Sequence, residues 1–179
     1  MSENGHRVVY TLGHSTRTLA EFIELLIVHS MRIVADVRRW PASRRYPHFN
    51  RDNLTASLAE KDIAYEWLGE DLGGFRRMGL GEASPNKAWR NEGFRNYADH
   101  ALTEEFGRGL SRLIELAERD KTAFVCAERS FLRCHRRIIS DHLTVKGWHV
   151  VHIMGQYSDQ LHGLTTSAVV KNETVIYPS

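Results

Sequence analysis

Lysine is scarce in this 179-residue chain: five stand against nineteen arginines among its 24 cationic side chains. Cysteine is scarcer still, at two. Two thiols cannot build the disulfide framework of a small secreted domain, and so few fit a reducing compartment. No apolar run approaches the roughly 20 residues that a membrane-spanning helix needs. The opening Met1-Ser-Glu-Asn-Gly-His-Arg7 has no apolar signal core. The expectation is a soluble cytoplasmic protein with no membrane partner. Signature motifs are missing as well. There is no P-loop, no Gly-x-Gly-x-x-Gly, no His-Glu-x-x-His and no Gly-x-Ser-x-Gly. That removes the common NTPase, dinucleotide, metalloprotease and α/β-hydrolase assignments. The absence of Cys-x-x-Cys removes the thioredoxin-type pair and the zinc knuckle. A net charge of +2 and a pI of about 8.6 select no class of partner.

What is present alternates short apolar runs with helical periodicity. Val8–Leu12, Ile33–Val37, Ile63–Trp67, Ala123–Cys126 and His149–Ile153 read as strands. Thr18-Leu-Ala-Glu21 is a capping box, and Leu19, Phe22, Ile23 and Leu26 form one face of the helix it opens. Leu54 and Leu58 mark a second helix. A Thr103 cap leads into Phe106, Leu110, Leu113, Ile114 and Ala117, and a further helix is expected over 131–146, stopped by Gly147. Strands separated by helices predict a single three-layer α/β domain, with a mostly parallel sheet of about five strands and helices on both faces. The core spans 10–153. The tail, 155–179, carries a small hairpin of Ala168–Val170 with Thr174–Tyr177. Gly69–Gly93 shows no clear element and is expected to be a long loop, either a lid or a surface excursion.

In open α/β sheets ligands bind beyond the carboxyl ends of the strands. Those ends carry Gly13-His14-Ser15, Asp36-Val37-Arg38, Leu72-Gly73-Gly74 and Cys126-Ala127-Glu128, and the next helix opens at Cys134-His135-Arg136. Both cysteines lie in this last strand-to-helix stretch. Cys134, placed in a first helical turn beside Arg133, His135 and Arg136, suits a thiolate. The pair fits a nucleophile, a dithiol–disulfide couple or, with His14 or His135, a metal site. Cys126 also reads as a small buried hydrophobe. Six residues separate Cys126 from Arg133, one more than a Cys-x5-Arg phosphatase loop has. Six arginines and a single acid, Asp36, occupy 32–51, which fits an anionic ligand, and Arg45-Tyr-Pro-His-Phe49 adds rings for base stacking.

Thr11-Leu-Gly-His-Ser15, Asp36-Val-Arg38 with Pro41 and Ser43-Arg44, Leu72-Gly-Gly74, Cys126-Ala-Glu128 and Cys134-His-Arg136 occur in that order. Together they resemble the domain of unknown function 488, from about Tyr10 to Ile153. The resemblance implies one compact α/β domain, implies no particular reaction, and singles out the residues already chosen.

The expected function is an enzyme acting on a phosphate-bearing small molecule, nucleotide or nucleic acid. Cys126, Glu128, Cys134, His135 and His14 would carry the chemistry. Arg38, Arg44, Arg136, Ser15, Ser43, Asp36, Gly73 and Gly74 would bind the substrate anion. The alternative is a non-catalytic metal-binding or nucleic-acid-binding module in which Cys126, Cys134 and His135 hold a transition metal. The sequence leaves any other cofactor open.

Overall fold

The computed structural model describes residues 7–179. Six strands form one sheet: β1 (Val8–Gly13), β2 (Ile33–Asp36), β3 (Ala64–Trp67), β4 (Thr122–Cys126), β5 (His149–Ile153) and β6 (Asp159–Leu161). Their order is β3-β2-β4-β1-β5-β6, and every pair is parallel except β5 with β6. The five expected strands are therefore all present, and an antiparallel edge strand is added to them.

Alternate residues of the central strands face two separate cores, which makes the domain three-layered. Val34, Leu12, Ala123 and Val125 pack under α1 (Leu19–Val28) and α2 (Arg51–Ala59). Val9, Ile33, Ala35, Phe124 and Val150 pack under the opposite layer. That layer is built from α3 (Gly69–Leu72), α4 (Glu92–His100), α5 (Glu104–Arg119) and α6 (Arg136–Val145). The helices start where their caps dictate. The Thr18 hydroxyl accepts from the Glu21 N–H while the Glu21 carboxylate accepts from the Thr18 N–H at 2.7 Å. Thr103 caps α5 in the same way, through the Phe106 N–H. No helix among the described residues is long and apolar enough to cross a membrane.

Two expectations change in detail. The stretch 69–93 is not structureless: it contains α3, a short 3-10 turn at Gly81–Ala83 and the start of α4. The Asn91 side chain caps α4 by accepting from the Phe94 N–H. The loop ahead of it is pinned by the buried Asp99 carboxylate, which accepts from the Leu80 N–H, the Ser84 hydroxyl and the Asn86 side-chain amide. The helix expected over 131–146 breaks into a 3-10 turn, Phe131–Arg133, and α6 proper, so Cys134 precedes the helix in extended backbone. A C-terminal hairpin is formed by β7 (Val169–Lys171) and β8 (Thr174–Ile176).

Beyond the hairpin, the Tyr177 hydroxyl donates to Asp141 at 2.7 Å. Asp141 also accepts from His162, and His162 in turn meets His152 at 2.9 Å. These are buried, and burial costs an imidazolium more than a neutral ring. Burial pushes His152 down to about 3, helped by His162 and Arg136. Burial likewise lowers His142 on α6 to about 4. In the unfolded chain such groups titrate near 6.5. The unfolded state therefore takes up protons first as pH falls, and the fold loses stability from about pH 6.5 downward, until the folded values are passed. Urea unfolding at pH 5 is expected to show a lower midpoint than at pH 7. The His142 Nε2 has no hydrogen-bond partner among the described residues, so His142→Leu should keep its stability at pH 7 and shrink that difference. An unchanged difference would place the acid sensitivity elsewhere.

Candidate functional site

The central strands β4 and β1 end side by side, and their pairing runs on past the sheet. The His14 N–H donates to the Cys126 carbonyl at 2.9 Å and the Ser15 N–H to the Ala127 carbonyl at 2.8 Å. Position 13 must be glycine here, because a Cβ would stand 2.0 Å from the Glu128 carbonyl oxygen. On the other side of β4, the Val37 N–H donates to the Val125 carbonyl. The strand order thus brings Gly13, Val37, Arg38 and Cys126 to one edge.

Two clusters meet there, on opposite faces of the sheet edge. The first is an ion pair. Arg38 donates to the Asp36 carboxylate through Nε and Nη2, the latter at 2.5 Å, and the Tyr65 hydroxyl donates to the same carboxylate at 2.7 Å. Asp36 is fully buried. His14 stacks on Phe49 with ring centroids 4.1 Å apart. Its Nδ1 meets the Ser15 carbonyl and must carry the proton, which leaves Nε2 to accept from Arg38 at 3.4 Å. Burial and the Arg38 charge lower His14 to about 4, so at neutral pH it is an uncharged acceptor.

The second cluster holds the thiols. Cys126 and Cys134 are both free and buried. The two sulfurs and His135 Nδ1 lie within 4.8 Å of one another. His135 turns its Nε2 to the Val37 carbonyl at 2.9 Å, so that nitrogen carries the hydrogen. The bare Nδ1 then faces the Cys134 sulfur at 3.7 Å. Gly74 packs on this ring, where a Cβ would lie 2.9 Å from Nδ1. Base, thiol and a backbone carbonyl as orienter have the logic of an activated nucleophile.

Arg136 completes the cluster. It is only 1% exposed, and no carboxylate among the described residues pairs with it. Its Nε donates to Cys134 Sγ at 3.4 Å, its Nη1 to Thr11 Oγ1 at 2.7 Å and its Nη2 to the Glu128 carbonyl. An arginine stays charged in proteins, and a buried charge needs a partner. Among its contacts only Cys134 can supply a negative charge. Burial alone would raise the Cys134 thiol, but the hydrogen bond from Cys126, together with His135 and Arg136, overcomes this and holds it well below the ordinary range. Cys126, donating to Cys134 and desolvated, is pushed up.

A cavity of about 460 Å³ opens onto these sulfurs. Tyr97, Phe94, Trp40 and Phe75 form its apolar walls, and Arg39, Arg133 and Glu128 stand around it.

Of the expected site residues, Cys126, Cys134, His135, Arg136 and Gly74 come together, with Arg38, Asp36 and His14 adjoining them. Others stand apart. The Glu128 side chain is exposed and accepts only from the Ser130 N–H at 3.4 Å, while its carbonyl serves Arg136. The Ser43 hydroxyl accepts from the Tyr46 N–H, a turn contact. Arg44 is exposed outside the cavity lining. Ser15 contributes a main-chain bond from a positive φ of 49°. Gly73 packs its backbone against Arg39. Phe49, read as a stacking ring, is buried against His14 and Phe22. The residues missed by sequence reasoning are Tyr65, Trp40, Phe75, Phe94 and Tyr97. Phe94, Tyr97, Ala98 and Ala101 do carry an i, i+3, i+4, i+7 signal for α4.

A family model described as "Domain of unknown function DUF488" matches residues 18–143, well over half of the chain. The match includes both cysteines, His135 and Arg136, and begins after His14 and Ser15. No curated protein and no solved structure matches.

Proposed function

The chain belongs to the domain of unknown function 488 family, whose description names no reaction; on the chemistry of its own residues we propose that it is a thiol-dependent enzyme acting on a phosphate-bearing substrate. The observation that carries this is the buried Arg136 whose only anionic partner among the described residues is Cys134, at 3.4 Å. Cys134 is the nucleophile. His135 Nδ1 takes its proton, held in line by the Val37 carbonyl, and returns it to the leaving group once the sulfur has bonded to the electrophilic centre. Cys126 supports the thiolate as a hydrogen-bond donor. Arg39 and Arg133, which line the cavity without carboxylate partners among the described residues, receive the phosphate. Arg136 is occupied internally and acts as counter-ion rather than as a substrate ligand.

Iodoacetamide tests the thiolate without knowledge of the substrate. Mass spectrometry of the alkylated protein should find Cys134 modified and Cys126 spared. The rate should be nearly flat from pH 8 down to pH 6, where an ordinary thiol with a pKa near 8.5 would slow by roughly tenfold per unit. A rate that tracks ordinary thiol titration would sink the reading.

The cluster of two sulfurs and one imidazole within 4.8 Å also favours a second reading, a Cys₂His site for a transition metal with one open position. The Arg136 guanidinium against one sulfur weighs against it, since it places a fixed cation beside the metal. About one metal per chain in protein purified without chelator, lost in Cys134→Ser, would favour this reading over the nucleophile.

A further inference from the structure

The mouth of the cavity holds a pair of rings that folding does not need. Trp40 is 62% exposed and Phe75 is 82% exposed. Their ring centroids lie 5.9 Å apart at an angle of 32°, and both line the cavity whose floor is Cys134 and His135. Phe75 also sits at φ 60°. For a bulky side chain this left-handed backbone is a true outlier and carries a conformational cost. Burial does not repay that cost, because the ring is in solvent. Strain of this kind, kept at a site and facing solvent, marks a ligand-contacting position.

The surrounding charge narrows the ligand. Arg39 and Arg133 share the lining with the rings, and the Arg39 guanidinium reaches only the Glu70 carbonyl. Arg76, beside Phe75, bonds only to the Gly73, Glu70 and Asp71 carbonyls. Glu128 is the sole acid on the lining. Exposed aromatic faces interleaved with arginines that lack carboxylate partners are the pattern that binds a nucleotide: the base stacks on the rings and the phosphate meets the guanidiniums.

We infer that Trp40 and Phe75 form a stacking platform for the base of a nucleotide, with Arg39 and Arg133 on its phosphate, above the Cys134 thiolate. The ligand is a free mononucleotide or an unpaired nucleotide within a single strand. The inference deepens the proposed enzyme reading by naming its substrate class, and the two can fail separately.

Trp40 is one of four tryptophans, so its fluorescence is read as the difference between wild type and Trp40→Phe. Adenosine 5′-monophosphate and single-stranded oligodeoxyadenylate are the probes, with duplex DNA as the control. Binding should quench the Trp40 signal. Trp40→Ala and Phe75→Ala should each weaken binding on the order of tenfold. Arg133→Ala should weaken it too and, for the oligonucleotide, reduce the salt slope by roughly 0.7. Saturating nucleotide should slow alkylation of Cys134. Tight binding of the monophosphate alone assigns the free nucleotide. Binding only of the oligonucleotide, with a steep salt slope, assigns the single strand. No binding of either probe, or binding indifferent to both ring deletions, overturns the platform. If nucleotide binds through the rings but Cys134 alkylates as an ordinary thiol, the platform stands and the thiolate falls. If Cys134 is hyper-reactive and neither probe binds, the thiolate stands alone.

Discussion

Cys134→Ser should destabilise the protein by about 3 kcal/mol, although it replaces one atom in a small side chain. The reason is Arg136. Removing one member of a buried charge pair costs about 3–5 kcal/mol, because the survivor keeps its charge and cannot reach water. Arg136 is 1% exposed and would retain the Thr11 hydroxyl and the Glu128 and Arg129 carbonyls, but no anion. Those three contacts put the expectation at the lower end of the range. Arg136→Met should also destabilise, by leaving the thiolate unsupported and the two carbonyls unpaired. The double variant should lose less than the sum of the two, since neither unpaired charge then exists. Urea unfolding of the four proteins measures the coupling. A loss below about 1 kcal/mol for Cys134→Ser would show that the sulfur is a neutral thiol at rest, and with it the nucleophile would fall.

Asp36→Asn should cost a similar amount, about 3–5 kcal/mol. The exchange preserves shape and removes the charge. Asp36 is fully buried and receives Arg38, both through its side chain and through its backbone N–H, as well as the Tyr65 hydroxyl. Arg38 would be left buried against His14, an uncharged ring that accepts one weak hydrogen bond at 3.4 Å. Tyr65→Phe is the control. It removes a hydroxyl and leaves the ion pair, and should cost about 1 kcal/mol. The two variants together separate the charge from the hydrogen bond. If Asp36→Asn costs no more than Tyr65→Phe, the charge is not what holds this edge.

The strands, the helix starts at the Thr18 capping box and the Thr103 cap, and the convergence of Cys126, Cys134, His135 and Arg136 on one sheet edge are legible because they follow from local rules. Period-two and period-3.6 patterns, caps, and the placement of ligands at strand ends need no knowledge of strand order. The orienter of His135 is different. It is the Val37 carbonyl, 98 positions away, and a main-chain acceptor has no residue type to read. It is brought there only because β4 lies between β2 and β1. Asp36 and Arg38, opposite charges only two positions apart, are a pair that the sequence does suggest, and they neutralise each other. α4 was obscured by its polar first turn, Glu92-Gly93, which follows a glycine-rich stretch. Trp40 and Phe75 carried no pattern at all, because each is a single ring on a loop.

The strand order sets when the site can exist. β1 pairs on both sides with late segments, Tyr10 opposite Ala123 and Val8 opposite His149. β2 can pair early with β3 on one side, but its other side waits for β4. The first two strands therefore cannot zip together as the chain emerges, and the loop-closure entropy of the sheet centre is met late, by the strand that ends in Cys126. Until then Cys134 has neither Arg136 locked on Thr11 nor His135 locked on Val37, and is an ordinary thiol. On the proposed reading the sulfur gains its reactivity only as the fold is completed, and in partly made chains Cys134 reacts as an ordinary thiol.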